Sequence, residues 1–168
     1  MTAATTSRLL GDVNVGEALP PLEYDVTATT VVLGAVGGRD WRPMHHDHKF
    51  AVERNGVRDI FLNSTGEAAF FERYITDWTG PAGRLGRLGF NMGSPVFPGE
   101  TMVITGTVTN VETDVGGCGW VEIEFALEVD GDKRASGSAR VAVPTTPDDN
   151  PWARRGERWK PQTEHAKK

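Results

Sequence analysis

Along residues 121–129 apolar and polar positions alternate strictly, with Val121, Ile123, Phe125, Leu127 and Val129 against Glu122, Glu124, Ala126 and Glu128. A period of two with one acidic face predicts a half-buried antiparallel strand. Asp130-Gly131-Asp132 supplies a turn, and Ala135, Gly137, Ala139, Val141 and Val143 carry the alternation along a return strand. Residues 102–111, rich in Thr and Val, predict a further long strand that turns back at 113–119.

Earlier in the chain the period is helical. Asn63, Ser64 and Thr65 offer an N-cap, and Ala68, Phe71, Ile75 and Trp78 recur at spacings of three and four. Gly80-Pro81 ends that helix after about four turns. Phe70 and Tyr74 widen its apolar face, so it should be enclosed on more than one side. Before it, residues 21–27 read as a short strand, Thr29-Thr30 as the start of a helix over 31–36, and Gly37-Gly38 as its end. Asp47 can cap a second short helix over 49–54, stopped by Asn55-Gly56. The sum is an α+β chain: one long helix near the middle, then a meander of three or more long strands. A sheet that wraps a single long helix is the hot-dog architecture. Residues 1–149 read as one such domain and 150–168 as a C-terminal tail.

At 168 residues the chain suffices for one domain with its own core. The single cysteine, Cys118, excludes an internal disulfide scaffold and a four-Cys zinc site. No apolar run approaches the ~20 residues that span a bilayer, and the first residues lack the apolar stretch of a signal peptide. The expected location is therefore the cytoplasm, with no membrane partner. A net charge of −5 argues against nucleic acid as a partner. That charge is uneven, with residues 150–168 at +4 and the remainder at −9. Trp152 and Trp159 in the basic tail favour docking over a free end.

The densest reactive cluster is Asp40-Trp41-Arg42-Pro43-Met44-His45-His46-Asp47-His48. Pro43 and the cap at Asp47 place a helix boundary between His45 and His48, which argues against a helical metal pair, and no metal is expected. The residues alone leave open a hydrogen-bonded loop corner or an acid–base pair. His46 and His48 read as loop and helix-start residues, and His165 as a tail residue. Residues 83–89 (GRLGRLG) read first as a flexible helix-to-strand loop, and second as a phosphate contact through Arg84 or Arg87. The G-x-G around Cys118 lies in a hairpin turn with no following helix, so a dinucleotide site is rejected. Cys118 has no partner histidine in any motif and reads as a small turn residue.

Asp40-x-x-Pro43-x-His45-x-Asp47 resembles the D-x-N-P-x-H-x-D signature of the MaoC-like dehydratases, the (R)-specific enoyl-CoA hydratases. Residues 89–101 resemble the family's F-x-x-P-V-x-x-G-D-T strand entry, and residues 59–63 stand where it writes P-I-x-H-G, so the likeness covers about residues 15–143. Residues 59–63 and 73–78 look most like the small subunit of the two-subunit hydratases of bacterial steroid side-chain degradation. In that group the partner is a different hot-dog chain.

The resemblance implies hydration of a trans-2-enoyl-CoA to a (3R)-hydroxyacyl-CoA, and the reverse, with coenzyme A as part of the substrate and no other cofactor. It implies Asp40 and His45 as a catalytic pair that holds one water. Backbone N–H groups at Asn63 and Ser64, aided by the helix dipole, would receive the thioester oxygen, with Arg42 and Asp47 in support. Two departures stand out. The signature Asn is Arg42, which should hold Asp40 ionised or form a structural ion pair, and the His-Gly before the helix is Leu62-Asn63. They motivate an alternative, a non-catalytic subunit that completes a partner's acyl tunnel. Acyl-CoA thioesterase is a third reading by fold analogy. Phe70, Phe71, Tyr74 and Trp78 should fill the core, or else line an acyl pocket. The likeness further implies two hot-dog units side by side in one sheet, as a heterotetramer with a second MaoC-like chain or as a homodimer. The tail would then pack along an acidic surface of that assembly.

Overall fold

Asn63 accepts the backbone N–H of Gly66 at 3.0 Å and so caps the central helix α3, Ser64–Thr79. The structure, a computed structural model, describes residues 6–162. Gly80 ends α3 at a φ of 76°, in the left-handed region that favours glycine. Phe71, Tyr74 and Ile75 are buried, with the Phe71 ring 5.1 Å from Phe90 and 4.6 Å from Phe125. The expected core role holds for Phe71 and Tyr74. Phe70 and Trp78 are half-buried at the margin of the core, Phe70 against Tyr24.

Around α3 curl five antiparallel strands: β1 (Ala18–Asp25), β2 (Arg84–Met92), β3 (Thr101–Thr113), β4 (Gly119–Val129) and β5 (Asp132–Val143), in the order β1-β3-β4-β5-β2. The alternation read in the sequence sends Met102, Ile104, Val121, Ile123, Leu127, Ala139 and Val141 into the core. This is the hot-dog fold. The edges of the sheet are β1 and β2. β1 carries Pro20 and Pro21 at a register shift, which blunts it as a pairing edge, whereas β2 contains no proline.

The flexible loop expected over residues 83–89 is instead most of β2, paired with β5 from Arg84↔Ala142 to Met92↔Ala135. Its glycines hid the strand. A Cβ on Gly86 would lie 2.7 Å from the Trp120 ring and 2.8 Å from Pro161, so that glycine admits an indole rather than conferring flexibility. The phosphate contact considered for Arg84 or Arg87 also finds no support. Arg84 lies 3.6 Å over the Trp159 ring and donates to the carbonyls of Pro151 and Arg154, and Arg87 pairs with Glu122 at 2.9 Å.

Two short helices precede α3. Helix α1 (Ala28–Gly37) is capped by Thr27, two to three residues before Thr29-Thr30, because Thr27 and Thr30 form a reciprocal capping box. Helix α2 (His48–Glu53) is capped by Asp47, as expected.

The tail docks, but on its own chain. Trp159 packs on Trp120 at 4.9 Å, Trp152 donates to the Gly83 carbonyl, and Arg154 pairs with Asp149 at 2.9 Å. An aromatic face and one local carboxylate hold residues 150–162, so no acidic partner surface is needed to fix them. His165 and the terminal lysines lie outside the described residues. Among the described residues no helix is long and apolar enough to cross a membrane.

Candidate active site

Helix α1 ends in a tight reversal. The Asp40 N–H reaches back to the Ala35 carbonyl at 2.9 Å, and Arg39 takes a φ of 53° to make the turn. This reversal delivers Asp40 to the start of α3. Pro43, pre-set in φ, then opens a single 3₁₀ turn, Pro43–His45, that buries the His45 ring. His45 Nδ1 lies 2.8 Å from the Phe61 carbonyl oxygen, and Nε2 faces Asp40 Oδ2 at 3.5 Å.

Asn63 completes the group. Its Nδ2 donates to Asp40 Oδ2 at 3.3 Å, while the Arg42 backbone N–H donates to Oδ1 at 3.3 Å. Burial pushes the Asp40 carboxyl up. The Asn63 amide, the Arg42 N–H and the charges of His45 and Arg42 together outweigh it and hold the group below its usual 3.8. Asp40 is thus a carboxylate at neutral pH, with its side chain 20% exposed and open to a small reactant.

At the same place α3 presents unused donors. The cap satisfies Gly66, and the Glu67 N–H reaches the Asn63 carbonyl. Among the described residues the N–H groups of Asn63, Ser64 and Thr65 have no acceptor, and Ser64 is exposed. A helix start with free N–H groups is suited to a developing negative charge.

Of the other expected residues only Arg42 reaches this group. Asp47 is exposed and caps α2 through the Phe50 N–H. The Arg42 side chain is exposed and makes no ion pair among the described residues, so the structural ion pair is absent. Its charge nevertheless helps to hold Asp40 ionised, as expected, alongside its backbone N–H. His46 is exposed, and His48 opens α2 with its ring 3.9 Å from Asp59. Cys118 is fully buried, and burial pushes its thiol up to about 11, which makes it a poor nucleophile.

No model of a known protein family matches the chain. Its sequence is 36% identical over 97 residues to the 3-oxo-4,17-pregnadiene-20-carboxyl-CoA hydratase beta subunit of Mycobacterium tuberculosis, spanning 58% of this chain and 74% of that one. The chain belongs to the MaoC-like hydratase family. The fold agrees. The crystal structure of the ChsH1-ChsH2 complex from Mycobacterium tuberculosis superposes with a TM-score of 0.71 and 28% identity, over 77% of this chain and 98% of that one. A MaoC-like dehydratase from Rhodospirillum rubrum superposes with a TM-score of 0.72 at 19% identity, over 83% and 99% of the two chains. Membership in the MaoC-like family carries a hydro-lyase kind of activity at the level of the family.

Two features escaped the MaoC-like motif, one in the site and one on the buried face of α3. Phe61 contributes a backbone carbonyl, which no side-chain pattern can announce. Glu67 is 1% exposed, neither of its carboxylate oxygens has a partner among the described residues, and burial pushes its pKa up to about 7. Its signal was available: Glu67 stands four residues before Phe71 and eight before Ile75, on the buried stripe of α3. A groove of about 1060 Å³ crosses the outer side of the sheet over Thr105, Thr107, Ala126, Ser136 and Ser138. It contains none of the residues around Asp40.

Proposed function

We propose that this chain adds water to trans-2-enoyl-CoA, giving a (3R)-hydroxyacyl-CoA, and catalyses the reverse dehydration. One observation carries this reading: Asp40 and His45 meet at 3.5 Å beside the start of α3. At 3.5 Å the nitrogen and the oxygen are too far apart for a good direct hydrogen bond, and a water bonded to both would sit at the apex of a triangle on that gap. Asp40 and His45 orient this water toward C3 of the enoyl group and share its proton. A proton is returned to C2, so that one water is consumed and no other group is released. The pair acts as one coupled acid–base unit. The charge that grows on the thioester oxygen is met by the free N–H groups of Asn63, Ser64 and Thr65, reinforced by the α3 dipole. This chemistry needs no redox cofactor and no metal.

The likeness to a steroid acyl-CoA hydratase subunit supports a bulky acyl group and a second MaoC-like chain as partner. Of the two sheet edges, β2 is the one free of proline, and we assign it to pairing with the partner in a heteromer, or with a second copy in a homodimer. The test is hydration of crotonyl-CoA and of bulkier enoyl-CoA esters, followed at the enoyl absorbance, with and without candidate partner chains. Wild type should turn over at least one ester, while Asp40→Asn and His45→Ala should not. A complex that stays active with Asp40→Asn would instead mark this chain as a supporting subunit. Release of free thiol from saturated acyl-CoA would mark a thioesterase.

A further inference from the structure

We propose that the Asn63 side chain is a positioning residue, one that fixes which way the Asp40 carboxylate faces. The inference rests on the hydratase reading and departs from it on one point: at Asn63 the carboxamide is what matters, beyond any backbone N–H.

Every polar atom of this carboxamide is used. Oδ1 accepts the Gly66 N–H at 3.0 Å, and Nδ2 donates to Thr65 Oγ1 at 2.7 Å and to Asp40 Oδ2 at 3.3 Å. The orientation is dictated by chemistry. An N–H needs an acceptor, so Oδ1 must face Gly66, and Nδ2 is left facing a carboxylate that can only accept. Asn63 is 1% exposed, so solvent does not compete for these bonds.

The surroundings are built to hold it. A Cβ on Gly66 would lie 2.7 Å from Asn63 Oδ1, and one on Gly38 would lie 2.2 Å from Thr65 Oγ1. Gly34 meets Asn63 Oδ1 at ordinary contact distance, 3.6 Å from its would-be Cβ. Glycines on α1 and on α3 thus bring the two helix ends close enough to lock Asn63 and Thr65 together.

The two departures from the family signature are then linked. The hydrogen bond that position 42 gives Asp40 comes from its backbone N–H, and the carboxamide that reaches Asp40 comes from position 63, where the family has glycine. A motif search would score both as losses. In space, the second places a donor on Asp40.

Two variants test this in the full chain. Asn63→Ser keeps a good cap for Gly66 but lacks the amide donor. Asn63→Asp keeps the cap and the shape but turns an acceptor toward Asp40. The readout is the carboxyl-carbon NMR titration of Asp40, assigned with Asp40→Asn, beside kcat, KM and the helical circular dichroism. The midpoint of Asp40 should rise in Asn63→Ser and rise further in Asn63→Asp, with helicity retained. With an enoyl-CoA substrate, kcat should fall by about 10-fold or more while KM changes little, as expected for misplacement of a reacting group. An unchanged Asp40 midpoint in both variants would overturn the inference. If wild type hydrates no enoyl-CoA, the hydratase reading fails, and the titration still decides the role of Asn63.

Discussion

His45 Nδ1 lies 2.8 Å from the carbonyl oxygen of Phe61, and since a carbonyl only accepts, that nitrogen carries the proton. In the neutral ring Nε2 therefore holds the lone pair, and it is Nε2 that faces Asp40 at 3.5 Å. The backbone fixes both tautomer and ring orientation before any substrate arrives. In the proposed reaction, His45→Ala and Asp40→Asn should each lower kcat/KM by roughly 10²–10⁴-fold. The double variant should be little worse than the poorer single one, because groups that act as a unit are not additive. Fully multiplicative losses in the enoyl-absorbance assay would show that the two residues do not share one water.

Glu67 gives a pH dependence of opposite sign to that of Asp40. Its folded pKa is raised to about 7 from 4.5, so between these values the folded chain holds a proton that the unfolded chain has released. Stability should therefore fall as pH rises from about 4.5 to about 7, by roughly 3 kcal/mol from this group, and be level above that. Asp40, held below 3.8, contributes stability that is present above 3.8 and is lost as pH falls through its lower folded value. Glu67→Leu should remove the first slope and stabilise most above neutral pH. Urea unfolding near pH 5 and pH 8 checks this, and an equal effect of the variant at both would contradict it.

Arg39 sits at a φ of 53° immediately before Asp40, a conformation that disfavours any residue with a Cβ. Arg39→Gly should raise stability by about 0.5–1 kcal/mol with the site geometry retained. The gain would show as a higher denaturant midpoint with unchanged slope. A loss of stability would mean that the Arg39 side chain makes a contribution larger than the strain.

Residues 150–162 are part of the folded unit. Trp120 is fully buried, under Trp159 on one side and with the Arg140 guanidinium 4.5 Å from its ring. Trp159→Ala should cost about 2–3 kcal/mol, less than for a fully buried Trp because Trp159 is half-exposed. Deletion of residues 150–168 should cost more, uncovering Trp120, Ala142 and Cys118. Thermal unfolding decides between docking and decoration, since an unchanged midpoint in the truncated chain would reduce the tail to a solvated end.

What the amino-acid sequence by itself determined is what short-range patterns encode. The three- and four-residue spacing and the Asn63 cap specify α3, and period-two alternation specifies β4 and β5 and sends one face of each inward. Asp40 and His45 were legible as neighbours because only four residues, Pro43 among them, separate the two, so that local geometry nearly suffices. Tertiary structure decided the rest. β2 was illegible because Gly83, Gly86 and Gly89 have no side chains to show a period, and the reason for Gly86, the Trp120 ring, lies 34 residues away in the chain. The same holds for Arg84, which two tail carbonyls and Trp159 occupy, and for Asn63, whose amide finds Asp40 only where α1 and α3 cross. A side chain's type states which bonds it can make, but partners distant in sequence are chosen by the packing that brings them within reach.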